Sequence, residues 1–69
     1  MTHQEYLTKV GLEIKIARIR KGMSTKDVSK VTGICTASIG QLERGATDAK
    51  ILTYKRVADA LGVGLNELF

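Results

Sequence analysis

The sequence contains no proline and no tryptophan, and it has one cysteine, one histidine, two tyrosines and one phenylalanine in 69 residues. Each scarcity removes a class of protein. Cys35 alone permits no intramolecular disulfide, so the chain is not a small cross-linked secreted framework. With His3 as the only imidazole, no Cys/His zinc constellation can be assembled, and no metal site is expected. No apolar run approaches the roughly 18 residues that a membrane span requires. The opening MTHQEYLTK lacks a signal-peptide core and the single thiol suits a reducing compartment, so a cytoplasmic protein without membrane contact is expected. The shortage of aromatic rings argues against a single-stranded RNA reader, which stacks bases on such rings.

A chain of this length is expected to form one domain over residues 1–69 and to bury only about 60% of its unfolded surface. A substrate cleft walled on several sides is hard to build at that size. Nor does the sequence show paired carboxylates, a nucleophile–base set or a phosphate loop, so neither enzymatic chemistry nor a cofactor is expected. Eleven Lys and Arg residues against seven Asp and Glu give a formal net charge of +4. That balance fits a polyanionic partner, and equally a solvated surface with a mild lysine excess. Position has to separate the two.

What the sequence does contain is apolar residues at helical spacing, in four or five short blocks. The first runs from about Gln4 to Lys21. Leu7, Val10, Ile14 and Ala17 share one side, while Leu12, Ile16 and Ile19 form a second apolar line that one buried face does not use. Gly22, after the basic Arg20–Lys21 pair, is a stop signal. Ser24 then starts a second helix as N-cap, with Asp27 three residues on to complete a capping box and Met23 and Val28 at the staple positions. Val28 and Val31 are expected to point inward before Gly33 ends this helix. After Gly33-Ile34-Cys35, a third helix runs from Thr36 to Arg44 with Ile39 and Leu42 inward. A fourth follows with Ile51, Tyr54, Val57, Ala58 and Leu61, and a short fifth begins near Gly64. Two short helices joined by about three residues, over residues 24–44, form a helix-turn-helix, whose second helix can enter a DNA major groove about 12 Å wide.

The ordered set Arg-x-x-x-Gly-Met-Ser, Thr-Gly-Ile, Ser-Ile-x-x-Leu-Glu-Arg-Gly and Ala-x-Ala-Leu-Gly-Val extends from Arg18 to Val63. GLEIKIARIRKGMSTKDVSKVTGICTASIGQLERG, followed by YKRVADALGVGLNEL, resembles the helix-turn-helix family of the Cro and lambda-type repressors. That family includes xenobiotic-response-element-like regulators and restriction-modification controller proteins. The resemblance covers about Gly11 to Leu68. It implies an all-α, compact four- to five-helix lambda-repressor-like domain and a sequence-specific regulator of transcription, working as a repressor or controller on double-stranded DNA. The same scaffold also serves as a protein-interaction module, an antitoxin or adaptor, and the modest basic face keeps that alternative open.

The resemblance also suggests roles. In the family, the arginine matching Arg18 pairs with the glutamate matching Glu43, a structural tie rather than a site. With Ile39 and Leu42 inward, Thr36, Ala37, Gly40 and Gln41 face outward, and these match the family's base-facing positions. Gln41 can pair with adenine, Thr36 can donate or accept, and Ala37 can touch a thymine methyl. Gly40 reads either as a close approach to DNA or as relief of a packing clash. Thr25, Lys26, Ser38 and Arg44 are the expected phosphate contacts. Cys35 is either a thiol switch or a residue packed in the turn. Relatives bind palindromic operators as homodimers, which points to Ile51, Leu52, Leu65 and Phe69 as the dimer surface. The spare line of Leu12, Ile16 and Ile19 is covered by a partner, by residues before Gly11 folding back, or by the rest of a longer regulator of which this chain is a fragment.

Overall fold

Local capping chemistry sets most of the helix boundaries. The computed structural model describes all residues, Met1 to Phe69, as five helices: α1 His3–Arg20, α2 Thr25–Thr32, α3 Thr36–Arg44, α4 Ile51–Leu61 and α5 Leu65–Leu68. At α2 the Ser24 hydroxyl accepts from the Asp27 backbone N–H at 3.0 Å, and the Asp27 carboxylate accepts from the Ser24 N–H at 2.9 Å. Thr2 and Glu5 build the same reciprocal box at the start of α1. The α1, α3 and α4 ends each close by a backbone N–H reaching five residues back: Met23 to Arg18, Ala46 to Gln41 and Val63 to Ala58. No helix is long and apolar enough to cross a membrane.

Asp27 supplies a pH-dependent prediction. The hydrogen bonds from Ser24, first its backbone N–H and then its hydroxyl, hold the Asp27 carboxyl below the usual aspartate range. A depressed folded-state pKa stabilises the fold above the unfolded value of about 4, and that stabilisation is lost as pH falls through the folded value. Asp27→Asn is therefore expected to melt below wild type near pH 6, with the two melting curves converging toward pH 2. Circular dichroism across that range measures the convergence.

The core draws on every helix: Val10 and Ile14 from α1, Val28 from α2, Ile39 and Leu42 from α3, four residues from α4 (Tyr54, Val57, Ala58 and Leu61) and Leu68 from α5. Ile39, Val57 and Ala58 are fully enclosed. Burying each large aliphatic residue contributes about 1.5–3 kcal/mol. Val31 does not join them. It is 64% exposed, and Thr32 takes the inward position, its hydroxyl donating to the Val28 carbonyl at 2.8 Å and accepting from the Ile34 N–H at 3.1 Å. In a two-turn helix centred on Val28, the i+4 position rather than i+3 follows the packed strip.

The residues before Gly11 do not fold back over α1. They are its first turns, in one continuous helix from His3 to Arg20. Leu12 and Ile19 consequently remain 52% and 59% exposed on its outer face. The inner face meets α3 backbone to backbone. A Cβ on Gly11 would lie 2.5 Å from the Glu43 carbonyl oxygen and nearer still to that of Leu42. Reciprocally, Gly45, in left-handed conformation at the end of α3, would place a Cβ 2.7 Å from the backbone of Thr8. Two glycines, one on each element, let α1 and α3 touch.

Candidate nucleic-acid interface

The helix-turn-helix comprises α2, the three-residue joint Gly33–Ile34–Cys35, and α3. Gly33 takes φ +77°, the left-handed region that turns the chain sharply after α2. Ile34 packs against the core and anchors the joint. With Ile39 and Leu42 buried, α3 turns Thr36, Ala37, Gln41 and Arg44 outward, all exposed, while Ser38 and Gly40 are partly covered at its margins. Ala37, Gln41 and Arg44 follow one another at four- and three-residue steps, so they form one row along the helix.

Gly40 sits beside that row. A Cβ there would meet only the tip of the Arg44 side chain, 3.1 Å away, and no backbone. The fold therefore imposes no internal clash that Gly40 must relieve. Ser38 is engaged by Cys35, with Sγ and Oγ 3.1 Å apart. Cys35 is exposed rather than packed in the turn. The Ser38 hydroxyl and the Ser38 and Ala37 backbone amides draw its thiol pKa below the usual cysteine value.

Thr25 and Lys26 occupy the first turn of α2, where backbone N–H groups lack intrahelical acceptors and the helix dipole is positive. The Asp27 carboxylate shares that end. An anion there meets Lys26 and two free amides but also one fixed negative charge. On the far side of α3, residues 46–50 form an irregular loop. Its Asp48 carboxylate lies 3.2 Å from His3 Nε2.

Arg18 and Glu43 meet in a two-pronged ion pair. Arg18 Nε donates to Glu43 Oε2 at 2.6 Å and a terminal guanidinium nitrogen donates to Oε1 at 3.2 Å. A third arm of the guanidinium donates to the Met23 carbonyl at 3.0 Å, so one side chain fastens the end of α1, the α1–α2 turn and the last turn of α3. The side chains are only 14% and 8% exposed. The hydrogen bonds that Arg18 donates to the Glu43 carboxylate raise the Arg18 pKa above its ordinary value. The pair faces the interior and holds α3 from behind.

The proposed dimer residues fall into two groups. Ile51 and Leu52, at the start of α4, are 57% and 72% exposed. Leu65 packs against the core instead. Phe69 is 42% exposed, with its ring edge-on to Tyr54 at 5.3 Å and to Tyr6 at 6.2 Å. Its packing inside the chain leaves one edge for anything outside.

A helix-turn-helix of α2 and α3, packed on the other three helices, has its counterpart in a family profile. The HTH_3 helix-turn-helix family matches residues 14–68. The chain belongs to that family, the DNA-binding transcription regulators of Cro/C1 type. No curated protein matches the sequence. Among solved structures, it is similar to the restriction-modification controller protein C.AhdI from Aeromonas hydrophila, with 28% identity and a TM-score of 0.87 over 91% of this chain and 96% of that one. An HTH_3 family transcriptional regulator from Vibrio cholerae superposes with a TM-score of 0.90 at 26% identity, over 99% of this chain but 38% of its own. The controller protein C.Esp1396I gives 0.82 at 26% identity, over 91% and 88%. Both controllers are compact proteins matched along most of their length.

Most of the sequence-derived site residues sit on two adjoining surfaces, the outer face of α3 and the first turn of α2. The apolar spacing from Leu7 through Ile14 and Ala17 placed α1 at about Gln4 to Lys21, within one residue of the His3–Arg20 helix at either end. Sequence reasoning missed Gly11 and Gly45 as points of contact between α1 and α3.

Proposed function

We propose that this HTH_3 protein is a sequence-specific double-stranded DNA-binding regulator of transcription, reading the major groove with α3 as a homodimeric repressor or controller. The observation that carries this reading is the open row on α3: Ala37, Gln41 and Arg44 project outward, and the protein itself offers them no partner. Gly40 beside them lets the helix backbone approach a surface closely. Thr36, Ala37, Gly40 and Gln41 are the proposed base contacts, and Gln41 is the one able to form a two-pronged contact with adenine. Thr25, Lys26, Ser38 and Arg44 are the proposed phosphate contacts, which position the domain without reading sequence. Arg18 and Glu43 hold α3 in place from the interior.

One nine-residue helix reads few base pairs, so specificity calls for two copies on a palindromic site with half-sites about one DNA turn apart. The exposed Ile51 and Leu52 and the free edge of Phe69 support a dimer surface there, with Leu65 supporting from below. The DNA partner and the similarity to two restriction-modification controllers favour a small cytoplasmic controller.

Site selection from a randomised duplex library tests this. A palindromic consensus is expected, and Gln41→Ala should relax it at one position per half-site, costing about 1–3 kcal/mol in discrimination. Weak, salt-sensitive binding with no enriched sequence would overturn the reading and favour a protein-interaction module on the same scaffold.

A further inference from the structure

The turn that follows the proposed reading helix is gripped by the far end of α1. Gln4 Nε2 donates to the Gly45 carbonyl at 2.8 Å across 41 residues of sequence, in a partly buried contact. Thr8 lies one turn along: its Oγ1 donates to the Gln4 main-chain carbonyl at 3.0 Å and accepts from Gln4 Nε2 at 3.5 Å. The Thr8 backbone packs directly on Gly45. His3, beside Gln4, reaches Asp48 in the same loop. His3, Gln4 and Thr8 all precede Ile14, where the family match begins, whereas Gly45 and Asp48 lie within it.

We propose that Gln4 is a positioning residue for DNA reading, fixing the direction in which the chain leaves α3 and so the placement of Arg44 and the 46–50 loop. The inference rests on the DNA-reading role proposed above. Residues 46–50 form no regular structure, so few hydrogen bonds hold their path: Ala46 N–H to the Gln41 carbonyl at 2.9 Å inside α3, and Gln4 and His3 from α1. Gly45 is the hinge of that path because its left-handed backbone lies outside the helix. A donor on its carbonyl fixes the peptide plane between Gly45 and Ala46. Without that donor only the Ala46 N–H bond to the Gln41 carbonyl holds the peptide, and Arg44 immediately before it sits on a looser platform. Helix α1 thus extends beyond the shared family segment to brace the edge of the reading surface.

The test compares Gln4→Met, which keeps the shape and removes the donor, with Gln4→Lys, which restores a donor at similar reach. Amide hydrogen exchange of Ala46 in the free protein is expected to quicken about three- to tenfold in Gln4→Met, the range set by one net hydrogen bond, and to return toward wild type in Gln4→Lys. The ratio of affinity for the site-selected duplex to affinity for a random duplex is expected to fall by a similar factor in Gln4→Met at little changed melting temperature. Unchanged Ala46 exchange would overturn the brace, and unchanged affinity ratio would overturn its role in DNA reading. Site selection with the wild-type protein judges the DNA-reading role separately. Should it recover no site, the exchange data still decide whether Gln4 holds the turn.

Discussion

Replacing Gly11 with alanine is expected to lower the midpoint of thermal unfolding by roughly 10–20 °C, a loss of about 2–3 kcal/mol. The sign is informative because alanine in a helix interior normally adds about 1 kcal/mol over glycine. Here the added methyl would lie 2.5 Å from the Glu43 carbonyl oxygen and closer to that of Leu42, so backbone and not a movable side chain must give way. Relief requires α1 and α3 to separate, which also pulls on the Arg18–Glu43 pair and loosens the core to which Ile14 and Ile39 both belong. Gly40→Ala is the internal control. Its methyl meets only the flexible end of Arg44 at 3.1 Å, and stability should hold or rise slightly while DNA affinity falls. Differential scanning calorimetry on the two variants measures both. A Gly11→Ala protein as stable as wild type would show that the helices slide apart at little cost.

The second large effect belongs to the ion pair behind α3. Glu43→Leu should cost about 3–5 kcal/mol, because it strands a guanidinium that is only 14% exposed. Arg18→Met should cost nearly as much, since it leaves the Glu43 carboxylate, 8% exposed, without its partner. The double replacement Arg18→Met with Glu43→Leu should recover most of the loss. Replacing a buried pair with apolar groups of similar volume is often neutral or better. The Arg18 bond to the Met23 carbonyl is lost in that variant, so recovery should stop short of complete. Urea unfolding of the four proteins gives the coupling energy. A single-variant loss below about 1 kcal/mol would place the pair among weakly contributing surface bridges.

Features encoded over four or five consecutive residues were legible in the sequence. Ser24 and Asp27 spell a capping box, and the glycines at 22, 33, 45 and 62 mark helix ends, because those interactions are made within one turn of chain. Ile39 and Leu42 could be assigned inward because nine residues of α3 carry only two large apolar side chains, and that assignment left Gln41 and Arg44 pointing out. The features that escaped join distant parts of the chain. Gly11 carries no local sign that α3 lies across it. Val31 looked buried because i+3 and i+4 are equivalent in pattern, and only the placement of α3 and α4 around Val28 separates them. Phe69 reads as a dimer-surface residue, and its packing within the chain, edge-on to Tyr54 and Tyr6, is not visible in the sequence. The Gln4–Gly45 contact has no local signature whatever.

The edge-on cluster of Tyr6, Tyr54 and Phe69 determines how this molecule can be watched. With no tryptophan in the chain, tyrosine dominates intrinsic emission, and both tyrosines touch the same phenylalanine. Native fluorescence therefore reports on one corner, where α1, α4 and the C-terminus meet, and is silent about α3. An unfolding curve followed by tyrosine emission and one followed by helical circular dichroism sample different regions of the protein. Coincidence of the two curves would mean that the corner and the reading helix melt as one cooperative unit.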